Sequence, residues 1–315
     1  MKIVSFEDIM NFNIDFKEAY NWVVEMLKNK ESAYLPPKIS IKPDEKPGVF
    51  YNVMPSVLPK ENAAGVKLVT RYPDSSPSLN SLLILCDYQN GKPVALMDAN
   101  FITALRTAAV AVHSIDLFAL KDYKTVGLIG LGNVMRATLK VMASVFPDKD
   151  LDIKLLKYKD THISFQEEFR DYEHFHFNVV DSYDAVVSDS DVVISAATYL
   201  GKDLCDDSCF KKGVTVIPVH TLGFTNCDLF FDKVFVDDIG HVKHFKYFNY
   251  FKSVAEVSDV INGRAEGRTD DSERIIVYNI GISLHDIFYA NKIYQKYCSE
   301  IKDIEMKTPD AKYWF

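Results

Sequence analysis

KTVGLIGLGNVMR, residues 124–136, decides the fold. Val126 to Ile129 make a short apolar run, followed at once by Gly130, Leu131 and Gly132 and then by Val134, Leu139, Met142 and Val145 at helical spacing. Strand, tight turn and helix start, in that order, predict a dinucleotide site. Gly130 lets the chain turn sharply and Gly132 lets backbone approach a pyrophosphate. Asn133 and Val134 open the helix whose first N–H groups face the phosphate oxygens. Met135 stands where a third fingerprint glycine would be, so the stretch also suits an ordinary strand-to-helix turn in another α/β protein.

Downstream the alternation continues. DIKLLKY (152–158), HFNVV (176–180), SDVVISAAT (190–198), VTVIPVH (214–220) and KVFVDD (233–238) are apolar strand candidates separated by helical pieces. That rhythm predicts a mostly parallel sheet covered by helices, with ligand bound beyond the strand C-termini. Between His241 and Asp271 no strand is expected, and FKSVAEVSDVINGRAEG (251–267) reads as a helix ending near Gly263. IIVYNIG (275–281) reads as a strand and SLHDIFYANKIYQKY (283–297) as a helix able to cross back to the N-terminal region.

Upstream the pattern differs. Residues 6–30 suggest short helices, and Pro36, Pro37, Pro43 and Pro47 then break regular structure. VFYNVMP, VKLVTRYP, SLLILCDY and PVALM follow, the last two separated at Asn90-Gly91, a strong hairpin signal. An antiparallel sheet separate from the dinucleotide unit is expected. From Asp98 to Leu120 the chain turns helical, with Asp98 as a cap and Ala104, Ala108, Ala109 and Ala111 keeping the helix slender.

The 315 residues, 48% hydrophobic and 25% charged, form a soluble globular composition long enough for about two domains. A net charge of -8 argues against a nucleic-acid surface. No apolar run approaches the roughly 20 residues of a membrane span, and the N-terminus lacks the pattern of a signal peptide. Five cysteines, odd in number and sparse, read as reduced thiols of a cytoplasmic protein. Cys205 and Cys209 are four apart, but no second pair stands at zinc-site spacing, so no metal is expected.

Several side chains suit nicotinamide chemistry. The position after the second strand usually selects the ribose, and Lys157 there attracts a 2′-phosphate where a carboxylate would repel it. NADPH is therefore expected, with NADH possible. Ala196, Ala197 and Thr198, after a strand, leave room for the nicotinamide ribose. His220 ends another strand, where it suits acid–base work or a satisfied hydrogen bond. Arg106 among small residues and Lys67 in the first region are two cations able to grip a carboxylate, although spacing alone does not bring them together.

GVKLVTRYP (65–73), GKPVALMDANFITALRTAAVA (91–111), VGLIGLGNVMR (126–136) and IIVYNIGISLHDIFYANKIYQ (275–295) resemble motifs of the ornithine cyclodeaminase and mu-crystallin family over nearly the full length. The resemblance implies a homodimer. It places a Rossmann-type dinucleotide-binding domain, 119–280, within an α+β substrate and dimerisation domain, 1–118 and 281–315. It implies that Lys67 and Arg106 engage a substrate carboxylate. PPKISI (36–41) supplies Lys38 where the family carries a third arginine, keeping the charge without the planar fork.

The departure lies in VHTLGFTNCDL (219–229), where Leu222 falls near the acidic residue of cyclodeaminases and Asp228 nearer a later glutamate. Leucine transfers no proton, so ornithine cyclisation is not expected. The family's amino-acid dehydrogenases, imine reductases and opine-type enzymes imply reduction of an α-imino carboxylate instead. Its binding proteins imply the alternative, a nicotinamide-dependent small-molecule binder without turnover, which Leu222 and Phe224 would suit.

Overall fold

The computed structural model describes residues 1–197, 204–220, 230–245, 247–305 and 312. It divides into two compact units. One comprises Met1–Ile14, Ser32–Thr103 and Asp286–Phe315, the other Asp15–Glu31 and Ala104–His285. The boundaries expected at 118/119 and 280/281 differ from this division chiefly in residues 15–31 and 104–118, which group with the second unit.

The first unit is built on a six-stranded sheet of β1 (Lys2–Val4), β2 (Ile39–Ile41), β3 (Phe50–Leu58), β4 (Ala63–Arg71), β5 (Leu79–Asp87) and β6 (Pro93–Asp98), in the order β1-β6-β5-β4-β3-β2. β2 to β6 pair antiparallel, and the β5–β6 hairpin turns through Gly91 at φ +70°. The sheet is mixed rather than purely antiparallel, because β1 adds to β6 in parallel. So short an edge strand leaves no pattern to read. A capping box on Ser5 and Asp8 then starts α1 (Phe6–Asn11).

In the second unit all eight strands run parallel: β7 (Thr125–Ile129), β8 (Leu151–Leu156), β9 (Phe175–Val180), β10 (Val192–Ser195), β11 (Thr215–Pro218), β12 (Lys233–Val236), β13 (Val254–Glu256) and β14 (Ile275–Tyr278). Their order is β13-β12-β14-β11-β10-β7-β8-β9. From β7 the chain lays strands outward to β9, then returns to place β10 on the other flank of β7. The strand order therefore reverses between β7 and β10, which is where such sheets open a crevice. β13 corrects the expectation of no strand after His241. It is three residues long, half-buried and at the edge, and so lacks the apolar run that betrays a central strand.

Helices cover this sheet. α2 (Phe16–Lys28), capped by Asp15, buries Ala19, Trp22, Val23, Met26 and Leu27 at helical spacing, and packs on α4 (Asn133–Val145) and α8 (Val257–Ile261). That packing explains its membership of the second unit. α3 (Asn100–Phe118) begins where the Asp98 carboxylate accepts the Asn100 N–H. By length and composition α3 could cross a bilayer, against the sequence expectation, but most of it is buried inside the protein as a core helix. α9 (Ser283–Tyr297) contributes most of its length to the first unit.

Candidate active site

The glycine turn sits at the reversal point. Gly130 has φ +83°, and a Cβ there would lie 2.9 Å from the carbonyl carbon and oxygen of Ala196 and 3.0 Å from the nitrogen of Ala197. Both the backbone angle and the close approach of the chain leaving β10 demand glycine. At Gly132 a Cβ would meet no protein atom, so packing does not explain that glycine, whereas a phosphate lying against the backbone would. Gly132 is the N-cap of α4, which has no side-chain cap, and Gly132 and Asn133 are exposed. Uncapped first-turn N–H groups with Val134 beside them, at the positive end of a helix dipole, fit a dinucleotide's diphosphate.

Two flanking positions suit the rest of such a cofactor. Lys157 directly follows β8; its side chain is 50% exposed and its Nζ lies 3.8 Å from Asp181, which follows β9. The cation is thus loosely tethered and open to solvent. At the end of β10, Ser195 is fully buried and its Oγ lies 3.1 Å from His220 Nε2, beyond β11. Small Ala196 and Ala197 follow Ser195. His220 is hydrogen-bonded, yet half-buried rather than sealed in the core.

In the first unit Lys67 occupies the middle of β4 and is 1% exposed. Its Nζ makes an ion pair of 2.7 Å with Asp286 of α9, itself fully buried, and donates to Thr103 Oγ1 at 3.3 Å. A buried charge survives only when paired in this way. Strand register aligns Lys67 with Met54 and Leu83, all on the covered face. Lys38, half-buried, comes one residue before β2, whose Ile39 pairs with Val53 next to Met54.

Arg106, on α3, is 6% exposed within the second unit. A Cβ on Gly281, at φ +78°, would come within 2.5 Å of its Nη1 and 2.8 Å of its Nη2, so glycine there lets the guanidinium lie against the main chain. Asp237, completely buried, accepts the Gly281 N–H at 2.8 Å and the Asn279 amide at 3.3 Å, and Asn279 accepts the Ser114 hydroxyl at 3.1 Å. Burial pushes the Asp237 carboxyl up to about 6, against the opposing pull of the Gly281 N–H, the Arg106 charge, Asn279 and Lys30. Lys30 is itself held by Asp238, at 2.9 Å, and by Glu256.

Against these features, a profile of the ornithine cyclodeaminase/mu-crystallin family matches residues 2–300. The chain belongs to this family. It is 28% identical to the nodulation efficiency protein NfeD of Rhizobium meliloti, covering 92% of this chain and 93% of that protein. It is 26% identical to a Δ(1)-pyrroline-2-carboxylate reductase of Bacillus thuringiensis over 78% of this chain and 80% of the relative. An alanine dehydrogenase of Archaeoglobus fulgidus is also 26% identical, over 91% and 92%. Among solved structures, the Thermococcus litoralis Δ(1)-pyrroline-2-carboxylate reductase in complex with NADH and L-proline shares the fold at TM-score 0.84 and 23% identity, covering 94% of this chain and 97% of that one. An archaeal alanine dehydrogenase dimer with bound NAD shares it at TM-score 0.85 and 22% identity, over 98% and 99%.

For this member of the ornithine cyclodeaminase/mu-crystallin family, sequence reasoning missed Asp286 and Asp237. Asp286 leaves a trace, being one acid among Leu284, Ile287 and Phe288 on a helix whose neighbours are buried. Asp237 leaves none, because two aspartates ending a strand look like a solvated turn. Thr198, Leu222, Phe224 and Asp228 lie outside the described residues.

Proposed function

We propose that the protein is an NADP(H)-dependent oxidoreductase that reduces an α-imino or cyclic imino carboxylate to the corresponding amino acid. One observation carries the reading: a glycine turn pinned against Ala196 where the strand order reverses, opening onto a helix N-terminus without a side-chain cap. The substrate class is supported by the relatives named for Δ(1)-pyrroline-2-carboxylate reduction and alanine dehydrogenation.

The bound cofactor would supply hydride to the imine carbon. Gly130, Gly132, Asn133 and Val134 would hold its diphosphate, and Ala196 and Ala197 would border its nicotinamide ribose. Lys157 attracts a 2′-phosphate, which favours NADPH while still admitting NADH. Lys67 and Arg106, with Lys38, grip the substrate carboxylate and align the imine carbon, and such positioning supplies several orders of magnitude in rate. Asp286 fixes the Lys67 ammonium. His220, sharing a hydrogen bond with Ser195, delivers the proton to the imine nitrogen.

The working form is a homodimer. On the solvent face of the six-stranded sheet, strand register lines up Ile3, Leu96, Ile84 and Val66 in one row and Leu82, Leu68, Val53 and Ile39 in the next. Ile3, Ile84, Leu82 and Ile39 are all more than 40% exposed. A contiguous apolar face of this kind marks an interaction surface, and a self-complementary dimer is the commonest occupant. Mixing the protein with NADPH and Δ(1)-pyrroline-2-carboxylate, or α-keto acids plus amines, tests the reaction by loss of the reduced-nicotinamide absorbance. Tight NADPH binding without turnover on any of these substrates would overturn the enzymatic reading.

A further inference from the structure

The parallel-sheet unit also gathers two thiols and a carboxylate that the reductase reading does not use. Cys209 ends a short 3₁₀ turn, Asp207–Cys209, and Cys205 lies two residues before that turn, on the segment leading into β11. Asp184 stands in the first turn of α6 (Tyr183–Val187), the crossover before β10. One ligand atom from each, the two Sγ atoms and a carboxylate oxygen, all lie within 4.8 Å of one another. Sequence spacing offered only the cysteine pair; the fold brings the third donor.

The donor set selects its ligand. Zinc binds thiolate sulfur at about 2.3 Å in a tetrahedron, which puts neighbouring donor atoms roughly 3.5–4 Å apart, within the separation found here. Magnesium and calcium demand six or more oxygen ligands, which two sulfurs cannot replace. Cys205 is buried, Cys209 half-buried and Asp184 exposed, so the cluster has a closed sulfur side and an open oxygen side through which a cation enters and a water completes the coordination. Asp206 and Asp207, next in sequence to Cys205 and both exposed, add negative charge to the same segment.

We propose that Asp184, Cys205 and Cys209 bind one soft divalent cation of the zinc class, with water in the fourth position. Binding ties α6 to the segment entering β11 and withdraws both thiols from oxidation. Its test reads metal binding directly and does not depend on turnover.

Cobalt(II) added to the reduced full-length protein is the probe. The expected result is one equivalent bound, with a thiolate-to-cobalt charge-transfer band in the near ultraviolet that zinc abolishes on displacement. Cys205→Ser and Cys209→Ser each remove the band, whereas Cys86→Ser, in the other unit, keeps it. Asp184→Asn, an exposed change that leaves folding intact, retains a sulfur band but weakens affinity by at least about tenfold, the loss seen on removing even an outer partner of a metal ligand. No thiolate band, a band that survives either serine variant, or unchanged affinity in Asp184→Asn overturns the proposal. So does equal peroxide-driven formation of a Cys205–Cys209 disulfide with and without zinc.

Discussion

The two sheets handle burial in opposite ways. In the parallel sheet every residue of β10, β11 and β14 is buried, so polar chemistry is confined to the strand ends: Gly130, Ser195, Asp237 and His220 all stand at or just beyond a C-terminus. In the mixed sheet β5 alternates between exposed and buried positions, and β4 carries the Lys67 ammonium in its middle. A strand covered on both faces has no place for a charge along its length. One covered on a single face can hold a charge inside and still present a second surface outward.

Breaking the mid-strand charge should have the largest effect. Lys67→Met leaves Asp286 buried without its partner, and is expected to cost about 3–5 kcal/mol in denaturant unfolding and on the order of 10²-fold or more in kcat/KM. Activity and stability close to the parent's would mean that the pair is dispensable. At the strand-end site, Gly130→Ala forces a side chain into the left-handed region and against the Ala196 backbone. A loss of about 1–3 kcal/mol is expected, with weakened NADPH binding measured by fluorescence titration.

The outward surface is tested by Leu82→Asp combined with Ile84→Asp, which should convert a dimer to monomer in sedimentation velocity. A dimer that persists would place the interface elsewhere.

A subtler test is pH. Asp237 has its folded-state carboxyl raised from 3.8 to about 6, so the folded protein holds this proton more tightly than the unfolded chain. Its contribution therefore favours folding below about 4 and is lost as pH rises through about 6. Asp237→Asn should flatten that part of the stability profile, by roughly 3 kcal/mol at most, and raise KM for the carboxylate substrate by loosening Arg106. The smallest effect belongs to the exposed Lys157. Lys157→Ala should lower the preference for NADPH over NADH by about tenfold, the worth of one charge-assisted bond. An unchanged ratio of kcat/KM for the two coenzymes would remove Lys157 from phosphate recognition.

Legibility in the sequence follows the range of the forces involved. The glycine turn, the Asn90-Gly91 hairpin and α9 are local, and residues 124–136, 81–97 and 283–297 announce them. The parallel addition of β1 to β6, the short edge strand β13 and the packing of α2 on α4 are settled by distant partners, and their own residues say little. The same divide runs through the site. Lys67 and Arg106 stand out as cations among apolar or small neighbours, but Asp286 and the Asp237–Asn279–Ser114 chain acquire meaning only once α9 and β14 are in place.

The apolar rows across β1, β6, β5 and β4 have a consequence for how the protein survives heating. If their burial awaits a second subunit, association and folding share one equilibrium, and the melting temperature should climb with protein concentration. Dilution alone would then weaken the molecule, with no residue changed.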